Sequence, residues 1–173
     1  MSHCVRSRVT LPLLAVVGLA SLTWASFANP MPRVIYNASD SVPVGWYRIG
    51  PSGTLHVGSF VLVHLPAAPR TLAAQRGYLP WHIPLLKRIG AMAPQTVCIR
   101  DGIVRIDGMQ VAATLRVDGS GRRLTAWSQC RRLRAGELFL LSTTNPASFD
   151  SRYFGPVSTS AVIGQAQPLW IRP

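Results

Sequence analysis

An apolar run near the N-terminus constrains this chain more than any other feature. Residues Val9 to Phe27 read VTLPLLAVVGLASLTWASF, with Arg6 and Arg8 just ahead of them. About 20 such residues are needed to span the hydrocarbon of a bilayer. Pro12 and Gly18 are tolerated in membrane helices. The run reads as a membrane anchor or, if Ser26-Phe27-Ala28 is a small-x-small cleavage site, as a leader that is removed. Residues 1–29 are therefore assigned to an anchor or signal segment and residues 30–173 to an exported domain, with the N-terminal arginines staying inside. Export fixes the cysteine chemistry. Cys4 stays on the inner side or is lost, which leaves Cys98 and Cys130 in an oxidising compartment. We expect a disulfide between them; two buried free thiols are the alternative.

The remainder suits one domain with a real core. Apolar residues are 48% of the chain and charged residues 14%. The net charge of +12 invites a nucleic-acid partner, but the arginines are scattered and no zinc-finger, RNP or basic-heptad pattern accompanies them. No nucleic acid is expected, and an anionic membrane surface suits the charge equally well. Lys87 is the one lysine among 18 basic residues. Arginine stays charged in proteins, whereas a buried lysine can lose its proton and act as a base. Codon bias explains a lone lysine equally well, so composition alone does not choose.

Past Asn29 the pattern is mostly β. Val44–Ile49, Phe60–Val63, Leu85–Ile89, Val97–Arg100, Ile103–Ile106 and Glu137–Ser142 read as short strands, and Asp101-Gly102 is a two-residue hairpin signal. Pro66 to Pro84 reads as irregular, with one helical turn over Thr71–Arg76, and Val117 to Gly136 as polar, arginine-rich connection. The expectation is a mainly β barrel or coiled sheet preceded by one apolar helix.

No metal-ligand motif or phosphate-cradling glycine loop is present, so no metal or cofactor is assigned. Histidines His56, His64 and His82 lie in no recognisable motif. The stretch Asn37-Ala38-Ser39-Asp40-Ser41-Val42-Pro43-Val44-Gly45 reads as a turn that presents serine hydroxyls just ahead of a strand.

Asn37-x-Ser39-x-Ser41-x-Pro43-x-Gly45-x-Tyr47 resembles the nucleophile box of the TraF-type conjugative transfer peptidases, a branch of the signal peptidase I superfamily. Lys87-Arg88-Ile89 followed by Pro94-Gln95-Thr96-Val97 resembles that family's lysine box, and Gly58–Val63 the short strand before it. Glu137–Leu141 with Ser148-Phe149-Asp150-Ser151-Arg152-Tyr153 resembles its C-terminal box. The boxes occur in the family's order. Two departures stand out: Gln95 and Thr96 replace the usual glycine and acid, and Ser142–Asn145 replaces a Gly-Asp-Asn run.

The resemblance implies a signal-peptidase-like β core with a small inserted β subdomain at about 109–134. It also implies a serine endopeptidase in which Ser41 attacks and Lys87 is the base. The Ser41 N–H and Ser39 hydroxyl would form the oxyanion site. Ser148, Asp150 and Arg152 would support it. The implied substrate is a pilin precursor, cleaved or cyclised at the periplasmic face of the inner membrane beside conjugative secretion machinery. A general signal peptidase and a non-catalytic secretion-channel assembly factor are the alternatives.

Overall fold

The computed structural model describes residues 2–27 and 33–172, with side chains for 10–24 and 33–172. His3, Cys4, Arg6, Arg8 and the Ser26–Ala28 site lie outside the described side chains. The chain forms two separate units, divided after Pro32. The first is the helix α1 (Ser2–Phe27), which continues through Pro12. Leu11, Leu14, Val17 and Leu22 are all exposed on it. Among the described residues, no helix is long and apolar enough to cross a membrane.

The second unit is mainly β. In chain order it runs β1 (Val34–Asn37), β2 (Gly45–Gly50), β3 (Phe60–Val63), α2 (Ala67–Gln75), β4 (Leu85–Met92), β5 (Thr96–Arg100), β6 (Ile103–Ile106) and β7 (Met109–Ala113). It continues with β8 (Cys130–Arg132), β9 (Glu137–Leu140), the short α3 (Ser151–Phe154), β10 (Val157–Ser158) and β11 (Val162–Ile171). A seven-stranded sheet has the order β1-β2-β11-β3-β4-β9-β10, and a four-stranded sheet the order β7-β6-β5-β8. Every pairing among the described residues is antiparallel. Register shifts at Ile89/Ala91, Val162/Gly164 and Pro168/Trp170 bend the large sheet into a coil.

Local chemistry explains most elements. In β2, Tyr47 and Ile49 point to the core while Trp46 and Arg48 face solvent, the period-two pattern of a half-buried strand. Asp101 and Gly102 both take positive φ, as a two-residue hairpin requires. Two elements correct the sequence reading. Pro66–Pro84 contains a helix rather than one turn, because Pro66 stands just ahead of α2 and Pro69 sits in its first turn, where a missing N–H costs no intrahelical bond. The longest strand, β11, goes unread because Gly164, Gln165, Gln167 and Pro168 dilute its apolar pattern; Pro168 is accommodated beside a bulge.

In the turn after β4, the Asp107 carboxylate accepts from the Thr96 N–H at 2.7 Å and from Gln95 Nε2 at 3.0 Å. These hydrogen bonds hold Asp107 below the usual carboxylate range. Strands β7 and β8 fall within the expected insert of about 109–134, while their sheet partners begin at Thr96. Cys98 and Cys130 face each other across β5 and β8 and are joined in a disulfide.

Gly45 shows why one position of the nucleophile box is glycine. Its φ is +150°, and a Cβ there would overlap the carbonyl oxygen of Trp170 and sit 2.7 Å from Ile171 Cα, both backbone atoms of β11. Gly45→Ala is expected to destabilise the domain by about 1–3 kcal/mol, read as a fall in urea midpoint at unchanged m-value.

Candidate active site

The turn from Ala38 to Pro43 is shaped from below by Asn37, a buried side chain at the end of β1. Its amide donates to the carbonyls of Ser39 (2.6 Å), Val42 (3.1 Å) and Pro43 (3.1 Å). Its Oδ1 accepts from the Ser39 hydroxyl at 3.0 Å. Tyr47 closes the far end by donating to the Pro43 carbonyl at 2.6 Å. The result sets the Ser39 and Ser41 oxygens 3.0 Å apart. A hydroxyl has one proton. With Ser39 donating to Asn37, the Ser41 O–H is the donor between the two serines.

Lys87 lies in β4, with β3 on one side and β9 on the other, and is only 3% exposed. Leu85 and Ile89 flank it on its own face of the strand. Its Nζ donates to Ser148 Oγ at 2.6 Å. Burial lowers its pKa from the ordinary 10.5 to about 8. The smaller effects oppose each other: the charges of Asp150 and Asp40 raise it and that of Arg152 lowers it. Such an amine is neutral in roughly one molecule in ten at pH 7, against fewer than about one in a thousand at the ordinary value.

The loop that carries Ser148 is built on a buried ion pair. Asp150 and Arg152 are almost fully buried, and Arg152 Nε meets Asp150 Oδ1 at 2.8 Å while Nη2 meets Oδ2 at 2.9 Å. The remaining guanidinium donors reach the carbonyls of Ala113 (3.0 Å), Pro146 (2.9 Å), Asn145 (3.2 Å) and Ser148 (3.0 Å). Asp150 also accepts from the N–H of Ser142 at 3.0 Å.

The fold thus brings Lys87, Ser148, Asp150 and Arg152 into one bonded group, and Ser39 with Ser41 into another. Ser41 and Lys87 are not hydrogen-bonded to each other. The groups meet through Asp40, which accepts from Asn145 Nδ2 at 2.6 Å and, on its carbonyl, from Thr144 Oγ1 at 3.2 Å. Val42, next to Ser41, and Leu86, next to Lys87 but on the other face of β4, share one apolar cluster. His56, His64 and His82 are exposed and bond to neither serine. The sequence reading missed Asn37, Asp40, Thr144 and Asn145 as site residues. Asn37 opens the nucleophile box, and Thr144 and Asn145 fall in the stretch noted as a departure, so a signal was present for each.

The family model described as signal peptidase, peptidase S26, matches residues 6–171. The chain belongs to that family. A plasmid transfer protein TraF of Escherichia coli is 32% identical over 90% of this chain and 93% of its own length. A conjugal transfer protein TraF of Agrobacterium fabrum is 34% identical over 94% of this chain and 96% of its own. A probable conjugal transfer protein TraF of Sinorhizobium fredii is 34% identical over 94% and 91% respectively. A crystal structure of a signal peptidase I from Enterococcus faecalis is 21% identical, with a TM-score of 0.41 over 66% of this chain and 97% of that one.

The buried lysine of this S26 member has a stability signature. Its pKa is lower in the folded than in the unfolded state, so the unfolded chain binds more protons between about pH 8 and 10.5. Lys87 therefore destabilises the fold most below pH 8, by about 3 kcal/mol, and this cost fades as pH rises towards 10.5. Lys87→Met removes that cost and loses one hydrogen bond worth about 1 kcal/mol. The variant is expected to be about 2 kcal/mol more stable at pH 7, with the gap closing towards pH 10 in parallel urea titrations.

Proposed function

We propose that this chain is a serine endopeptidase of conjugative transfer in which Ser41 is the nucleophile and Lys87 the general base. One observation carries the reading. The chain's one lysine is buried at a strand centre, with its pKa lowered to about 8, and is bonded to the loop that also bonds the residue next to Ser41. A purely structural lysine gains nothing from that position, since burial disfavours its charge. An amine that must accept a proton at neutral pH needs such a position.

The chemistry follows from these groups. Neutral Lys87 accepts the Ser41 proton as Oγ attacks the scissile carbonyl. The Ser148 hydroxyl holds the amine in place by accepting a hydrogen bond from Nζ. The Ser41 N–H and the Ser39 hydroxyl, rotated away from Asn37, face the developing oxyanion. The proton on Lys87 passes to the leaving amine as the peptide bond breaks, and an acyl-enzyme remains on Ser41. Water, or an amine in a cyclising reaction, then attacks with Lys87 again as base. Asp150 and Arg152 support the Ser148 loop.

The setting comes from the TraF relatives, whose names place them in plasmid and conjugal transfer. We assign this chain a pilin precursor as substrate, at the periplasmic face of the inner membrane beside the transfer machinery. The described side chains of α1, 10–24, are mostly apolar and exposed, which suits lipid or protein rather than water, so α1 is the element assigned to membrane attachment.

Processing in cells tests this directly. A pilin precursor co-expressed with the wild-type chain is expected to be cut, while Ser41→Ala and Lys87→Arg leave it intact in mass spectra. Lys87→Arg keeps the charge and removes the base. Processing at the wild-type rate by Lys87→Arg would rule the dyad out, and a product lighter by one water than the linear form would show cyclisation.

A further inference from the structure

The sheet does not by itself fix the distance between Ser41 and Lys87. Strands β11 and β3 lie between β2, which follows the Ser41 turn, and β4, which carries Lys87. That is three strand spacings of about 4.8 Å each. Asn37 and Tyr47 set the internal shape of the turn, but both belong to its own flanks. Among the described residues, the hydrogen bonds from the turn to the loop bearing Ser148 are the two on Asp40, from Thr144 and Asn145.

Asn145 is well placed to hold the turn. Its Oδ1 accepts from the backbone N–H of Ala147 at 2.7 Å, so its amide nitrogen must be the atom facing Asp40. Its backbone N–H donates to Ser142 Oγ at 3.2 Å, and its carbonyl accepts from buried Arg152 at 3.2 Å. The side chain therefore stands on the same guanidinium that holds Ser148, and Ser148 holds the Lys87 amine. One chain of bonds runs from Lys87 through Ser148, Arg152 and Asn145 to Asp40, the residue next to Ser41.

We propose that Asn145, acting through Asp40, is a positioning residue that sets the Ser41 hydroxyl against the Lys87 amine; this rests on the dyad reading above. A misplacement of about 1 Å at a reacting centre costs on the order of 100-fold in rate. The bond is partly solvent-facing, so its loss loosens the turn without unfolding the core.

Acylation of the full-length chain in detergent by N-acetyl-alanine p-nitrophenyl ester tests this, the nitrophenolate burst giving the rate. Asn145→Ala and Asp40→Ala are each expected to slow the burst about 10- to 100-fold with KM little changed. The double variant should be no slower than either single one, since both remove one bond. Asp40→Asn keeps an acceptor for Asn145, so it should recover most of the rate that Asp40→Ala loses. Its pH profile should move to lower pH, because the carboxylate no longer helps hold the proton on Lys87. An Asn145→Ala burst at the unaltered rate, additive losses in the double variant, or a change in KM alone would overturn the proposal. If Ser41→Ala abolishes the burst while Asn145→Ala does not slow it, the positioning role fails and the dyad stands. A burst that survives Ser41→Ala, or none from the unaltered chain, overturns the dyad and this proposal with it.

Discussion

The buried pair of Asp150 and Arg152 organises the site. Each ion alone would be expensive to keep out of water, by several kcal/mol. Together they cancel charge, and every donor of the guanidinium finds an oxygen. Those oxygens come from the end of β7, from the loop between β9 and α3, and from Asp150 itself. The pair thus ties the small sheet to the loop that faces Lys87. Neighbouring groups extend the tie: the Ser151 hydroxyl accepts from Leu140 of β9 at 2.9 Å, and the Arg152 carbonyl accepts from Trp127 at 2.8 Å. Among the described residues no buried side-chain nitrogen or oxygen lacks a partner. Lysine could not replace Arg152, because one ammonium cannot reach acceptors spread around a planar fork.

Lys87 stands beside this neutralised pair with its own charge poorly compensated. Burial acts on it more strongly than any neighbouring charge, and the charges of Asp150 and Arg152 oppose each other. The fold therefore carries a destabilising group at its centre and offsets it elsewhere, through apolar clusters on both faces of the large sheet and through the Cys98–Cys130 link. Stability given up at a site in exchange for a neutral amine is the expected mark of a general base.

How much of this is legible in the sequence depends on range. Short-range signals read well. The alternation of Trp46, Tyr47, Arg48 and Ile49 gives β2, and Asp101-Gly102 gives the β5–β6 hairpin. The mainly β class follows from such segments. Long-range pairing does not read. Strand β11 joins β2 to β3 from the far end of the chain, and its polar and proline residues hide it from any pattern of period two. The same holds at the site. The resemblance to known boxes picks out Ser41 and Lys87, while the Asp40–Asn145 bond spans 105 residues and has no local signature. Asn37 is a middle case, visible as a box residue but readable as a brace for the turn only once its three carbonyl partners are seen.

The proposed dyad requires Lys87 to give up its proton near neutrality. Because the chain has one lysine, labelling lysine with ¹⁵N at Nζ puts a single side-chain amine in the spectrum. Its chemical shift followed against pH in the folded protein is predicted to titrate near 8, moving to the ordinary 10.5 when the chain is unfolded in urea. A folded-state titration at 10.5 or above would contradict the account, since the amine would then be charged when Ser41 needs a base.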